Sequence, residues 1–270
     1  MEQISVAEAA GLLDVDVSRI RQRIADGSLA AEKVGHQWVI DAATVKQLDY
    51  KGAGRPLSSR SAWALAWVAL REIPDDSPDS RDSGSRGCDA SDALLLGPVE
   101  RSRGRARLRQ LLRQVRDLED SPDDDHQAEA VAALARLLLR NRARRLLLRC
   151  SPRDLDDLRR DDRLTLAGIS SASAGIASGD IVEAYVRADD IDHLVEEFLL
   201  VDADRDSANV VLHVVDADRL QLSAPANNWL LLAADLAEYY RPRETVRAAQ
   251  LLHAAARLGP PAAAAADDNE

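Results

Sequence analysis

The chain has 270 residues, with 35 Lys and Arg against 46 Asp and Glu, so its formal net charge is −11. Its apolar content of 46% allows packed cores, which excludes disorder of the whole chain, and its length allows one large domain or a few small ones. Because no uncharged apolar stretch reaches about 18 residues and no basic-then-apolar leader is visible, we expect a cytoplasmic protein without a membrane span.

The first fifty residues predict a compact unit that begins with two short helices. Ser5 and Glu8 stand at the spacing of a capping box, in which each side chain bonds the other residue's amide, so we expect a helix over residues 6–12. Asp16 is a suitable N-cap for a second helix, and Gly27 suits the left-handed position at which that helix ends.

The second helix is the candidate DNA-recognition helix. At about 100° per residue, Val17, Ile20 and Ile24 fall on one face, which we expect to point inward. The side chains that point away from this face or flank it are polar. They are Ser18, Arg19, Arg21, Gln22 and Arg23.

Two short strands around a turn follow, at residues 29–34 and 37–40, and Asp41 is placed to cap a third helix. Helix, turn, helix and a two-stranded wing are the layout of a winged helix-turn-helix DNA-binding domain. We therefore expect residues 1–50 to bind double-stranded operator DNA. The wing residues expected at the DNA backbone are Lys33, His36 and Gln37.

Three runs of residues in this unit follow the pattern of a known family. They are Val6-Ala7-Glu8-Ala9-Ala10, Ile24-Ala25-Asp26-Gly27-Ser28-Leu29 and Val34-Gly35-His36-Gln37-Trp38-Val39-Ile40. In these runs the chain resembles the excisionase/MerR-like group of DNA-binding domains. It departs from that group at His36-Gln37, where arginines are common, and at Arg23, where an aromatic is common. These departures suggest a weaker wing–phosphate contact or a changed site preference.

The local charge favours a DNA contact, although the chain as a whole is acidic. A pI of about 5.0 argues against a protein that coats nucleic acid indiscriminately. Residues 17–60, however, carry eight cations and four acids, a local charge of +4. The alternatives are that these arginines only solvate a helix, or that the unit docks another protein. Because one such module makes few contacts, we expect a homodimer, with the Leu-rich middle helices as the candidate dimer surface.

Residues 51–150 predict helices separated by loops. A turn-rich linker opens this region, and residues 74–92, with six aspartates and no apolar period, predict a loop or disordered segment. The predicted helices span residues 59–72, 100–118 and 128–149. The arginines of the second of these helices could solvate the outer face of a bundle, add phosphate contacts or pair with an acidic partner.

Alternating short strands and helices over residues 151–258 predict a small α+β domain, and residues 259–270 predict a frayed tail. The predicted strands are 164–167, 181–186, 199–202 and 210–215, and the predicted helices are 169–176, 190–198 and 242–258. The expected fold class is therefore mainly α with an α+β C-terminal domain, made of an N-terminal winged helix-turn-helix, a helical middle and a small mixed α/β C-terminal domain.

One stretch of the C-terminal part invites a catalytic interpretation. The Gly168 turn and the acids Asp180 and Glu183 resemble the phosphate and magnesium site of a nucleotidyltransferase. Acids three apart on an extended strand face opposite sides, however, and cannot hold one ion. The five histidines are scattered, and Cys88 and Cys150 form no metal-ligand pattern. We therefore expect no enzymatic activity, no cofactor and no metal.

Short runs along the whole chain suggest a more specific role. They include Gly54-Arg55-Pro56-Leu57-Ser58, Glu183-Ala184-Tyr185-Val186 and Ala208-Asn209-Val210-Val211-Leu212. With the N-terminal unit, they resemble the AbiEi antitoxin family of type IV toxin–antitoxin systems. This resemblance implies a transcriptional regulator that represses its own operon and counters a cognate nucleotidyltransferase-type toxin. The alternatives are an excisionase-like architectural DNA-binding factor, a nucleotidyltransferase-like enzyme, and a pure interaction protein.

Overall fold

The computed structural model describes residues 3–12, 16–25, 29, 31–34, 37–42, 45, 57–73, 96–119, 124–176, 179–216 and 225–259. Contacts divide the chain into two units, Met1–Arg55 (unit 1) and Pro56–Glu270 (unit 2). Each unit contains helices and a sheet, so the fold is mixed α/β. Among the helices described, none has the length and apolar character needed to cross a bilayer.

Unit 1 is built from two helices and a three-stranded antiparallel sheet. Its elements are β1 (Gln3–Ser5), α1 (Val6–Leu12), α2 (Val17–Ala25), β2 (Glu32–Val34) and β3 (Gln37–Asp41). The strand order is β1-β3-β2, with Ile4 opposite Ile40 and Lys33 opposite Trp38. Ile20 and Ile40 are fully buried, so the apolar side of α2 packs into the core that it shares with α1 and β3.

Two of the predicted caps of unit 1, at Ser5 with Glu8 and at Asp16, are confirmed, and the predicted helix end at Gly27 lies outside the described residues. The Ser5 amide donates to Glu8 Oε2 at 2.7 Å, and the Glu8 amide donates to Ser5 Oγ at 3.2 Å. The Ser18 amide donates to Asp16 Oδ1 at 2.7 Å, which fixes where α2 begins. Strand β1 was not predicted, because three residues are too few to show a period. The third helix predicted after Asp41 lies largely outside the described residues.

Unit 2 contains seven α-helices within its described residues. They are α3 (Ser59–Glu72), α4 (Pro98–Glu119), α5 (Asp124–Leu138), α6 (Leu155–Arg159), α7 (Ile191–Glu197), α8 (Trp229–Ala237) and α9 (Pro242–Leu258). The longer ones (α3, α4, α5, α8 and α9) pack around one hydrophobic core. Helix α3 is enclosed on nearly all sides, since every residue of 62–69 is buried. That helix spans the predicted residues 59–72, and it is capped by Ser58, whose hydroxyl accepts from the Ser61 amide.

The sheet of unit 2 has five strands. They are β4 (Arg144–Arg149), β5 (Leu164–Leu166), β6 (Val182–Arg187), β7 (Val201–Asp202) and β8 (Val210–Val215), in the order β5-β6-β8-β4-β7. Strands β6 and β8 are parallel, and the other pairings are antiparallel. All six residues of β8 are buried, so the centre of the sheet is covered on both faces.

Two helix predictions for unit 2 are corrected by the structure. The helix predicted through residue 149 ends at Leu138, and the run that follows is strand β4, with Leu146 opposite Leu212. The helix predicted over residues 169–176 is instead two 3₁₀ turns, Gly168–Ser170 and Ala172–Ala174. Helix α8 was not predicted as a helix. The predicted loop at residues 74–92 and the tail from residue 260 lie outside the described residues.

Candidate functional site

Helix α2 presents one apolar and one polar side. Ile20 is fully buried, and Val17 and Ile24 are half-buried against the core of unit 1. Four predicted contact residues lie on the exposed part of the helix: Ser18, Arg19, Arg21 and Gln22. The apolar contacts of these three residues and the Asp16 cap therefore fix which side of α2 faces outward.

Two of the exposed side chains of α2 contact each other. Arg19 Nη1 donates to Gln22 Oε1 at 3.3 Å, one turn along the helix. This bond engages the Gln22 side-chain oxygen, and both residues are exposed. Guanidinium groups pair bidentately with guanine and carboxamides with adenine, so this pair is chemically suited to read base edges in a major groove.

The β2–β3 hairpin carries a cation next to an exposed aromatic ring. Lys33 and Trp38 are directly opposite each other, and Lys33 Nζ lies 6.0 Å from the ring centroid. Trp38 is 37% exposed and Val34 is 54% exposed. A positively charged amine on a flat ring is a plausible chemistry for a phosphate and sugar contact. Trp38 is not among the predicted contact residues, although an aromatic residue opposite a lysine in a predicted hairpin is a signal for such a contact.

The structure describes the side chains of only part of the predicted DNA-contact set. Lys33 lies on β2 and the four exposed residues described above lie on α2. His36 lies outside the described residues, as do the side chains of Arg23 and Gln37.

A second group of polar side chains is enclosed in the core of unit 2. We call it the buried ionic cluster, and its members come from the turn before β4, from β6 and β8, and from α8 and the residues after it. They are Arg142, Glu183, Tyr185, His213, Asp235, Glu238 and Tyr239.

Arg142 organises one half of the buried ionic cluster. Its Nη2 and Nε lie 2.7 and 3.1 Å from Asp235 Oδ1, and its Nη1 lies 2.6 Å from Glu238 Oε1. The Tyr185 hydroxyl accepts from Arg142 Nε at 2.8 Å and donates to Asp235 Oδ1 at 2.9 Å. The Trp63 indole donates to the Arg142 carbonyl at 2.7 Å, which holds the turn in place. A desolvated cation is thus matched by two carboxylates.

Glu183 organises the other half. Its Oε1 lies 2.8 Å from His213 Nε2, while its Oε2 accepts from the Tyr239 hydroxyl at 2.8 Å and from the Ile169 amide at 2.9 Å. Gly168, with φ of 48°, approaches this carboxylate so closely that a Cβ there would lie 1.9 Å from Glu183 Oε2. The absence of a side chain at Gly168 therefore makes room for the buried carboxylate of Glu183. This structural role accounts for the Gly168 turn and Glu183, for which the sequence invited a catalytic interpretation.

Burial and neighbouring charges shift several pKa values in this cluster. Burial raises the pKa of Tyr185, and burial together with the charge of Glu183 raises the pKa of Tyr239, so both phenols remain donors. Burial opposes ionisation of Glu238, but the charge of Arg142 outweighs it and lowers its pKa to about 2. Burial raises the pKa of Asp235, which is deeper and whose Oδ2 has no hydrogen-bond partner among the described residues.

The buried ionic cluster contains the side-chain types of a metal site but does not fit one. Ligand atoms of Glu183, His213 and Asp235 all lie within 4.8 Å of one another. His213 Nε2 already bonds Glu183 Oε1, and the Arg142 guanidinium already bonds Asp235 Oδ1. A divalent cation would be placed beside that guanidinium, so we interpret the cluster as structural. Asp180 is exposed before β6, whereas Glu183 is buried within that strand. The two acids therefore do not form a pair.

Comparison with known proteins gives no family for the chain. No protein-family model, curated protein or solved structure matches it. The candidate functions of α2, the β2–β3 hairpin and the buried ionic cluster are therefore inferred from the residues and contacts of this chain alone.

Proposed function

We propose that the protein is a sequence-specific DNA-binding transcriptional regulator that contacts its operator through unit 1, as a homodimer. The observation that carries this proposal is the two-sided character of α2. Its buried Ile20 anchors the helix in the core of unit 1, while Arg19, Arg21 and Gln22 are exposed together on the outer side. A short hairpin with an exposed lysine follows it, as in winged DNA-binding domains.

In this proposal the two parts of unit 1 have different tasks. The exposed side of α2 enters the major groove, where the coupled Arg19 and Gln22 discriminate between base pairs. Lys33 on the hairpin binds phosphate and sets the register of the helix without reading sequence. The preference for one operator over other DNA then depends on α2, and part of the overall affinity depends on the hairpin.

The test is a binding titration of the full chain with duplexes that tile the region upstream of its own coding sequence. We expect one duplex to be preferred over a scrambled duplex of equal length. The double substitution Arg19→Ala with Gln22→Ala should reduce that preference by roughly tenfold or more, because each lost base contact is worth about 1–3 kcal/mol.

Arg153→Ala is the matched control, because Arg153 is an exposed arginine of unit 2. It should leave the preference unchanged. An unchanged preference in the α2 double variant would overturn the assignment of α2. Failure of the unmodified chain to bind any duplex would overturn the DNA-binding proposal and favour a pure interaction protein.

A narrower proposal is that the regulator is an autorepressing antitoxin with a nucleotidyltransferase-type toxin as partner. Its support is the resemblance of short runs such as Glu183-Ala184-Tyr185-Val186 to the AbiEi family. The neighbouring gene distinguishes the candidates. A nucleotidyltransferase-type toxin beside it would support the antitoxin role, and an integrase would support the excisionase-like architectural role.

A further inference from the structure

Helix α4 (Pro98–Glu119) concentrates positive charge within an acidic chain. It carries seven arginines and three acidic residues, a helix charge of +4, whereas the whole chain carries −11. Such a concentration on a single helix invites the question of which anion it meets.

The two sides of α4 differ sharply in character. One side is buried in the core of unit 2 through Gly104 and a row of leucines and valine. The opposite side is exposed and carries three arginines among small or neutral residues. The exposed residues of this side are Ser102, Arg103, Ala106, Arg109, Gln110 and Arg113. We call it the α4 outer face.

The arginines of α4 differ in their contacts. Some bond to other elements of unit 2, whereas those of the α4 outer face do not within the described residues. Arg105 pairs with Glu72, and Arg116 donates to the Ala256 carbonyl at 2.6 and 2.9 Å. With the part of the chain that the structure describes, Arg103 and Arg113 make neither a hydrogen bond nor an ion pair. Within the same described residues, Arg109 makes only a 3.4 Å contact with the Arg105 carbonyl, four residues earlier.

The spacing of these arginines is unfavourable for an isolated helix. Arginines recur four residues apart, and like charges at that spacing repel and destabilise a helix. The pairs concerned are Arg101 with Arg105, Arg103 with Arg107, Arg105 with Arg109, and Arg109 with Arg113. A bound polyanion relieves this repulsion, because it places negative charge between the guanidinium groups.

The dimensions of the α4 outer face suit a nucleic-acid backbone. From Arg103 to Arg113 the helix rises about 15 Å. A DNA strand presents one phosphate about every 3.4 Å along its axis, so several phosphates fall within this length. Guanidinium groups bind phosphate oxygens bidentately, which lysines do not.

We propose that the α4 outer face is a second DNA-binding surface, which binds phosphates without reading sequence. This inference rests on the proposed function of unit 1 and adds to it. In the combined scheme α2 supplies the preference for an operator, and α4 supplies salt-dependent affinity that is equal for every duplex.

The test measures how the affinity of the full chain for DNA depends on salt. Affinities for an upstream duplex and for a scrambled duplex are titrated over a range of NaCl concentrations. The double variant Arg109→Gln with Arg113→Gln should make the slope of log affinity against log salt shallower by about 2. Its affinity should fall by the same factor on both duplexes, so the preference between them should not change.

The control variant Arg153→Gln with Arg243→Gln removes the same charge from exposed positions outside α4. It should keep the slope of the unmodified chain, which separates a local contact from a change in net charge. Thermal unfolding of each variant should match the unmodified chain, because the substituted side chains are exposed.

A slope in the α4 variant equal to that of the unmodified chain would overturn this inference. If Arg19→Ala with Gln22→Ala still abolished the preference in that case, the proposed function would stand alone. Absence of binding to any duplex would overturn both. Single-stranded RNA and vesicles containing phosphatidylserine serve as further probes. Loss of binding to either of these in the α4 variant, with the DNA slope unchanged, would also overturn the inference and assign the face to that ligand.

Discussion

At the scale of single residues, Arg142 determines how much charge the core of unit 2 can hold. Its guanidinium contacts the carboxylates of Asp235 and Glu238 and the hydroxyl of Tyr185. Arg142→Met would remove the guanidinium partner of the buried Asp235 and would leave Glu238 paired with Arg145, whose Nε lies 3.3 Å from Glu238 Oε2. We expect this substitution to lower the free energy of unfolding by about 3–5 kcal/mol, measured by urea denaturation.

Arg144→Met is the control, since Arg144 lies two residues away and is exposed. It should change the free energy of unfolding by no more than about 0.5 kcal/mol. Equal effects of the two substitutions would show that the cluster does not depend on Arg142.

No pattern in the sequence distinguishes Arg142 from its arginine neighbours. Its carboxylate partners Asp235 and Glu238 lie 93 and 96 residues further along the chain, and they can be assigned to it only once β4 and α8 are placed. Likewise, Glu183 and His213 come together only because β6 and β8 are neighbouring parallel strands. Local reasoning could find the exposed side of α2, but not a cluster assembled from four separate segments of the chain.

At the scale of secondary-structure elements, the packing of α3 against α4 depends on Gly104. A Cβ at this position would lie 3.0 Å from Val68 Cγ2 and 3.2 Å from the Ala64 carbonyl oxygen. Gly104→Leu would therefore push the two helices apart. We expect the free energy of unfolding to fall by about 1–3 kcal/mol or more, with a lower melting temperature in circular dichroism.

Ala106→Leu places the same side chain two residues later, on the exposed side of α4. It should leave the melting temperature nearly unchanged. A similar loss in both variants would indicate an effect on the helix itself rather than on its contact with α3.

The elements that the sequence predicts well are those with a cap or an amphipathic period. Helices α1, α3 and α9 have the predicted ends, and α2 has the predicted buried side. The prediction of helix at strand β4 is wrong because Leu146-Leu147-Leu148 shows no alternation of apolar and polar residues. The strand is defined by its pairing with β8. The 3₁₀ turns at residues 168–174 could not be predicted either, because the left-handed conformation of Gly168 depends on the nearby carboxylate of Glu183.

At the scale of the whole molecule, the cluster predicts an acid-sensitive component of stability. The pKa of Glu238 is lowered to about 2 from an ordinary value of 4.5. Its charged form therefore stabilises the fold fully above about pH 4.5, and this contribution is lost as pH falls toward 2. It amounts to about 3 kcal/mol. Asp235 acts in the opposite sense, because burial raises its pKa, so the contribution is measured as a difference between variants.

Urea denaturation of the unmodified chain and of Glu238→Gln, at a series of pH values from 7 down to 3, isolates this component. The stability gap between the two proteins should be widest at pH 7 and should narrow below about pH 4.5. Glu196→Gln, at an exposed position of α7, should show no such gap. A gap that is constant with pH would contradict the assignment.

The tryptophans give each unit its own optical reporter. Of the four, only Trp38 belongs to unit 1, where it is partly exposed, whereas Trp63, Trp67 and Trp229 are buried in unit 2. Iodide should therefore quench mainly the emission of Trp38, and a ligand on the β2–β3 hairpin should protect it. A Trp38→Phe variant would leave emission from unit 2 alone, so the unfolding of the two units can be followed separately in one cuvette.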